Sequence, residues 1–400
     1  MLCYTLLSHF GSTLRNMPTS FLRACVTDAP DRAAVSDIFA FEAVMLAGTT
    51  AWRKTAFDQL LPRPVLPVGQ LPLMAHPLRW LRAAGASRVT ICANGLASQL
   101  RDHLDPIAHL LPALTFHEDQ SPRGAAGSAR DAALATDADL FVVADATTIP
   151  DVSLLRVLAE HQESRAALTI VVQPANAGQP MSGAGHAAPG GRAGSLVPTG
   201  LYVFSRRAFE YVPAAGYQDI KESLIPRLYA AGELVVTSEA ESQCPQVLDA
   251  KTYLAVSHRT IARAAAPAGI GDALFEAAPT IHPSARVSPT ALLVGPVLVG
   301  PGVEIQDDAV VIGPASLGAD SIVERGALVS RSVVWSGCIV GADAQVDRSI
   351  LSTGVTIEPS ARLVGAVRVA ARPAVRKEVR PAVTVPALEP AVEARGLAFR

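Results

Sequence analysis

The chain has 400 residues, half of them hydrophobic, and a formal net charge of −2. That is enough apolar material for two domains with separate cores, and so small a charge excludes a global field steering the chain to nucleic acid or an anionic membrane. The five cysteines and nine histidines show neither C-x-x-C nor H-x-x-x-H spacing, which argues against a disulfide framework or zinc site and fits a reducing cytoplasm. No apolar run reaches the ~20 residues that a bilayer-crossing helix needs.

Residues 1–39 read as a poorly ordered extension, without the basic head and cleavage site of a signal peptide. From 40 to 250 the pattern is that of one α/β domain. Strands are expected at 41–47, 87–93, 139–144, 167–173 and 199–204, and helices at 73–85, 127–135, 151–163 and 217–231. Such alternation predicts a mainly parallel sheet with helices on both faces, whose ligands sit beyond the carboxyl ends of the strands. The stretch LAGTTAWRK, 46–54, follows the first strand, and Ala144-Asp145 closes the third. Both border one expected cleft. The segment from Gln173 to Val197, rich in Gly, Ala and Pro and without a lysine, reads as a flexible loop, and 251–275 as a helical linker.

A repeat fills 276–369. Isoleucine, valine or leucine falls at every sixth position from Ile281 to Val329, and Ala, Val or Ser follows four residues after each, from Ala285 to Val333. The series loses a residue near Val334-Trp335, resumes at Val340 and Val346, loses another at Leu351, and returns with Ile357, Leu363 and Val369. A six-residue period with one large and one small apolar site describes a three-sided coil with the large side chain inward and Gly-Pro pairs at the turns. About five such coils, stacked at ~4.8 Å, make a rigid prism. Residues 370–400 are a Pro/Ala-rich tail, whose cluster Arg372, Arg376, Lys377 and Arg380 reads as solvated charge.

Several segments carry a resemblance. Leu46-Ala47-Gly48 through Arg53 is similar to L-A-G-G-x-G-T-R-L, and Pro62-Arg63-Pro64-Val65-Leu66-Pro67-Val68 to P-K-P-L-L-P-V. Gly124-Ala125-Ala126-Gly127 resembles G-T-A-G, and Phe141 to Asp145 a strand ending in G-D. Pro198 to Phe204 resembles N-A-G-I-Y-V-F, and Asp219 to Leu228 the D-x-x-x-x-L-I-P-x-L helix that follows it. In this order, and ahead of hexapeptide repeats, they resemble the sugar-1-phosphate nucleotidyltransferases, in the branch that includes mannose-1-phosphate guanylyltransferases and glucose-1-phosphate adenylyltransferases. The resemblance implies a Rossmann-like domain followed by a left-handed parallel β-helix. It implies a reaction in which an NTP and a sugar 1-phosphate give a nucleoside-diphosphate sugar and pyrophosphate, with Mg²⁺ as cofactor.

By the same resemblance Arg53 and Arg63 are catalytic, while Gly48, Gly124 and Gly127 contact nucleotide. Gly200 contacts substrate, and Asp145 holds the metal. Its carboxylate partner in the family's W-x-D-I-G-T-P-x-x-Y segment, aligned on Tyr253, becomes Gln246; a short gap would bring in Asp249 instead. The chain also departs from the pattern at Thr49, Ala51 and Trp52, where the family has two glycines and a small residue, at Arg63 in place of a lysine, and in the missing lysine between 173 and 197. These losses touch triphosphate, sugar phosphate and metal together, and each preorganised charge is typically worth ~3–4 kcal/mol in a transition state.

Two readings follow: a nucleotidyltransferase with an eroded site, or a non-catalytic regulatory or scaffold subunit that binds nucleotide or nucleotide sugar. The prism, whose only histidine is His282 in the first coil, lacks the base that acyl-transferring hexapeptide proteins generally use. It is read as an assembly module for a homo- or hetero-oligomer.

Overall fold

The computed structural model describes residues 39–48, 61–119, 121–175, 196–265 and 277–370. Its first part begins with β1 (Glu42–Leu46), the 3-10 turn Arg63–Val65, a hairpin of β2 (Pro67–Val68) and β3 (Leu71–Pro72), and α1 (Ala75–Ala83). There follow β4 (Arg88–Cys92), α2 (Ala97–Leu104), β5 (Ala113–His117), α3 (Gly124–Ala133), β6 (Leu140–Asp145) and α4 (Leu154–Ser164). Next come β7 (Leu168–Pro174), β8 (Leu196–Ser205), α5 (Ile225–Ala230), β9 (Val235–Glu239) and α6 (Ala250–Ala265).

Seven of these strands form one sheet in the order β5-β4-β1-β6-β8-β7-β9. Only β8 runs against its neighbours, β6 and β7. The central strands alternate between two cores because successive side chains leave a strand on opposite faces. Met45, Val142 and Ala144 join Leu78, Leu81, Leu100 and Leu158 on one side. Val44, Phe141 and Val143 join the alanines of α3 and Leu228 of α5 on the other. Helices thus cover both faces of a mainly parallel sheet, the expected class.

Besides the short hairpin of β2 and β3, three elements had no counterpart in the sequence reading: α2, β5 and β9. Both strands are five-residue edge strands with half-exposed side chains, so no continuous apolar run marks them. The other difference lies at Gln173–Pro174 and Leu196–Val197, read as loop but paired between β7 and β8. Residues 176–195 lie outside the described residues.

The second part is a coil of short parallel strands, from Thr280–Ile281 to Val367–Arg368, in three sheets of six, five and five. Leu298 stacks on Thr280 and Ser316 on Leu298, a spacing of 18 residues; Val333 then stacks on Ser316 and Ile350 on Val333, a spacing of 17. The residue lost from the repeat near Val334 is therefore lost from every later coil. Val299, Ile305, Val311, Leu317, Val323, Val329, Val340 and Val346 are all buried within the prism, each contributing roughly 1.5–3 kcal/mol. The three-sided parallel coil agrees with the left-handed β-helix that the resemblance implies.

Two ends depart from the expected period. Ile281 is 41% exposed, on the outermost described coil. Beside Leu351 the register places Arg368, exposed, instead of Val369, because the last coil is again one residue short. No helix among the described residues is long and apolar enough to cross a membrane.

A buried histidine ties α4 to the sheet. His161 is 2% exposed, with Nδ1 2.8 Å from the Thr169 hydroxyl and Nε2 3.0 Å from that of Ser205. Burial, aided by the nearby Arg207 charge, lowers its pKa to about 4. The folded state then binds fewer protons than the unfolded chain between pH ~6.5 and that value, so this contribution to stability is complete above pH ~6.5 and is lost as pH falls towards 4. Thermal unfolding from pH 7 to 4.5 should show a falling midpoint, and His161→Gln, which retains hydrogen-bonding capacity but cannot titrate, should flatten that fall.

Candidate active site

The carboxyl ends of the central strands lie side by side, with Leu46 of β1 in register with Asp145 of β6. Asp145 is fixed by its own turn. Its Oδ1 accepts hydrogen bonds from Thr147 N at 2.7 Å and the Thr147 hydroxyl at 2.6 Å, an Asx turn of the kind that favours Asp at a strand end. Its Oδ2 accepts from Gln246 Nε2 at 3.2 Å. Gln246 reaches this place because residues 245–247 run antiparallel beside 147–149: Ile149 N donates to Pro245 O and Val247 N to Thr147 O. Gly200 lies opposite on β8 with φ +87°, and a Cβ there would come within 3.0 Å of Asp145 Cβ and 3.2 Å of the Thr148 hydroxyl.

Asp145, Gln246 and Gly200 therefore meet. Asp249, the alternative offered by a sequence gap, is occupied elsewhere. Its Oδ1 accepts from Thr252 N at 2.7 Å, capping α6 as Asp commonly does at a helix start.

Gly48 lies just past β1, where its amide and that of Ala47 both donate to Cys92 O, and a Cβ on it would be 2.6 Å from Asn94 Cβ. Arg63 is buried in the 3-10 turn, which packs against α2. Arg53 and the departures at 49–52 lie outside the described residues.

Gly124 and Gly127 have a packing role that the motif alone does not reveal. Gly124, at φ +72°, would place a Cβ 2.5 Å from Gln218 O. That same carbonyl accepts from Ala126 N at 3.0 Å and Gly127 N at 3.4 Å, occupying donors at the amino end of α3. A Cβ on Gly127 would meet Arg123 at 3.0 Å. Arg123, 6% exposed, staples the covering segment by donating to Gly216 O and Pro213 O while pairing with Asp131. Sequence reasoning missed Arg123, Gln218 and Thr147. Only Thr147 had a visible signal, in Asp-x-Thr after an apolar strand.

One further group of potential metal ligands occurs among the described residues, His117, Asp119 and Asp131. His117 Nε2 is 3.2 Å from Asp119, whose other oxygen accepts from the Ser128 hydroxyl. Burial opposes ionisation of Asp131, but Arg123 and Arg130 outweigh it and keep its pKa below the usual value. Two guanidiniums already pair with Asp131. Glu118 beside it caps the start of α2 by accepting from Gly95 N and Ala97 N.

With this geometry in place, comparisons with known proteins bear on the family. A family model described as "MobA-like NTP transferase domain" matches residues 43–209, and one described as "GMPPB C-terminal domain" matches 293–385. The chain is 24% identical over 292 residues to a mannose-1-phosphate guanylyltransferase of Mycobacterium tuberculosis, covering 66% of this chain and 76% of that protein. Together these matches support the sugar-1-phosphate nucleotidyltransferase family. The chain is also 21% identical over 355 residues to a UTP–glucose-1-phosphate uridylyltransferase of Synechocystis sp., covering 80% of this chain and 91% of that protein.

The glycine at 124 separates conformational strain from steric conflict. Gly124→Ala should lower unfolding stability by about 2–4 kcal/mol, whereas Gly95→Ala, also at positive φ but with nothing within 4 Å, should cost only about 1–2 kcal/mol. Urea unfolding of the two variants checks the difference.

Proposed function

We propose that the cleft beyond β1 and β6 binds a nucleoside triphosphate and a sugar 1-phosphate and joins them, releasing pyrophosphate, at a rate held down by a weak metal site. The observation that carries this reading is Asp145. It is a carboxylate at the end of a central strand, held in place by Thr147 and faced by a neutral amide. Enzymes of this family commonly use a divalent metal, and Mg²⁺ is the ion proposed. Asp145 would hold it, with the Gln246 amide oxygen as a neutral neighbour once the amide turns. The donor set fits a hard cation that takes oxygen ligands and keeps several waters. When bound, the ion supplies countercharge to the phosphates.

The chain's own groups do the remaining work. Thr147 keeps the Asp145 carboxylate oriented, and Gly200 lets β8 pass close beside it. Arg63 and Arg53 supply permanent positive charge. An arginine in place of lysine retains that charge but offers a planar fork instead of a compact ammonium.

A second reading, a regulatory or scaffold subunit that binds nucleotide or nucleotide sugar without turnover, is favoured by two observations. Gln246 replaces a carboxylate, and the Gln218 carbonyl occupies amides at the start of α3. In either case we place the chain in the cytoplasm, which suits the buried thiols Cys92, Cys244 and Cys338. We also expect association through the β-helix, whose first coil exposes Ile281 and Leu292.

Pyrophosphate release with Mg²⁺ is the test. GTP with mannose 1-phosphate and UTP with glucose 1-phosphate are the first pairs to try. The proposal expects slow turnover, lost in Asp145→Asn. No turnover, together with a rise in melting temperature on adding nucleotide, would select the regulatory reading.

A further inference from the structure

The hairpin that follows Arg63 turns through Gly69 and Gln70, both at positive φ, 56° and 65°. Such a two-residue turn normally takes Asn or Gly, and a long side chain there carries a local conformational cost. What Gln70 gains is visible across the domain boundary. Its side chain is buried against the prism, where Nε2 donates to Leu298 O at 3.2 Å and Leu317 O at 3.0 Å. Gly300 makes room for it, since a Cβ on that residue would lie 3.1 Å from Gln70 Oε1.

One strand back, the carbonyl of Pro67 accepts from the hydroxyl of Tyr253 on α6. That hydroxyl accepts in turn from the Trp335 indole N–H of the prism at 2.9 Å, and the two rings meet edge-on with centroids 6.4 Å apart. Tyr253 is fully buried, in a cluster with Leu66, Val68 and Leu73 of the hairpin, Val247, and Val333 and Ile350 of the prism. Val247 directly follows Gln246, and Leu66 is three residues past Arg63. The same buried junction thus grips both segments, each within a few residues of a candidate site group.

We infer that the β-helix positions the two flanks of the cleft, the Arg63 turn and the segment around Gln246, through a clamp of Trp335, Tyr253 and Gln70. None of the three touches the reacting groups; they are positioning residues. The inference rests on the proposed function only in taking Arg63 and Gln246 as cleft groups.

Hydrogen exchange on the full-length chain, without ligand, tests it. Tyr253→Phe keeps the ring but removes the hydrogen bonds of the hydroxyl, those to Pro67 and Trp335 among them. Gln70→Gly removes the side-chain bonds while placing in the turn the residue best suited to positive φ. Each should speed exchange at residues 61–73 and 244–248 at least tenfold, leaving the amides of β1 and β4 unchanged. Uniform acceleration through the sheet domain, or none at 61–73 and 244–248, would overturn the clamp.

A second arm uses GTP with Mg²⁺ on the unmodified chain. Coupling between sites is reciprocal, so a bound nucleotide should slow exchange at 333–337, and protection confined to the sheet domain would also overturn the clamp. If GTP protects nothing while the ligand-free contrast is seen, the nucleotide reading fails and the clamp stands.

Discussion

Among the described residues, the Asp145 carboxylate is held by neutral donors: an amide and a hydroxyl of Thr147 on one oxygen and the Gln246 amide on the other. That constraint shapes the chemistry of the cleft. A pair of carboxylates would repel until a cation bridged them, making folding and metal binding interdependent. With Gln246 the two side chains are hydrogen-bonded to each other, and on the proposed reading a neutral amide holds a cation less firmly than a second carboxylate would.

The surrounding structure maintains this arrangement from several directions. Gly200 lets β8 run close beside Asp145, and residues 245–247 are stitched to 147–149 by backbone bonds. The buried junction around Tyr253 then fixes the far side of that segment to the prism. In this chain the β-helix serves as a foundation beneath the cleft as well as an appendage to it. At α3 the glycines serve close packing, since the Gln218 carbonyl occupies space that a Cβ would fill.

The architecture was legible in the sequence because it rests on periodicity. The six-residue repeat exposed the prism, and alternating runs exposed the central strands, since both patterns follow from which side chains are buried. The period failed where burial fails, at exposed Ile281 and at Arg368 in the final coil. Edge strands β5 and β9 escaped for the same reason. The motifs led to Asp145 and, by register from Tyr253, to Gln246, but not to their contact or to Thr147. Least legible were Gln70 and Trp335, whose partners lie far away in the chain: 228 and 247 residues separate Gln70 from its two acceptors, and no local pattern encodes such bonds.

The charge state opposite Asp145 is open to direct measurement. Mn²⁺ binding, followed by electron paramagnetic resonance without nucleotide, should be compared between the unmodified chain and Gln246→Glu, which changes the charge while closely preserving shape. The account predicts at least tenfold tighter binding in the variant, about 1.4 kcal/mol, together with a lower melting temperature that Mn²⁺ restores. Equal or weaker binding in the variant would show that Gln246 does not limit the metal site, contradicting the account at its centre.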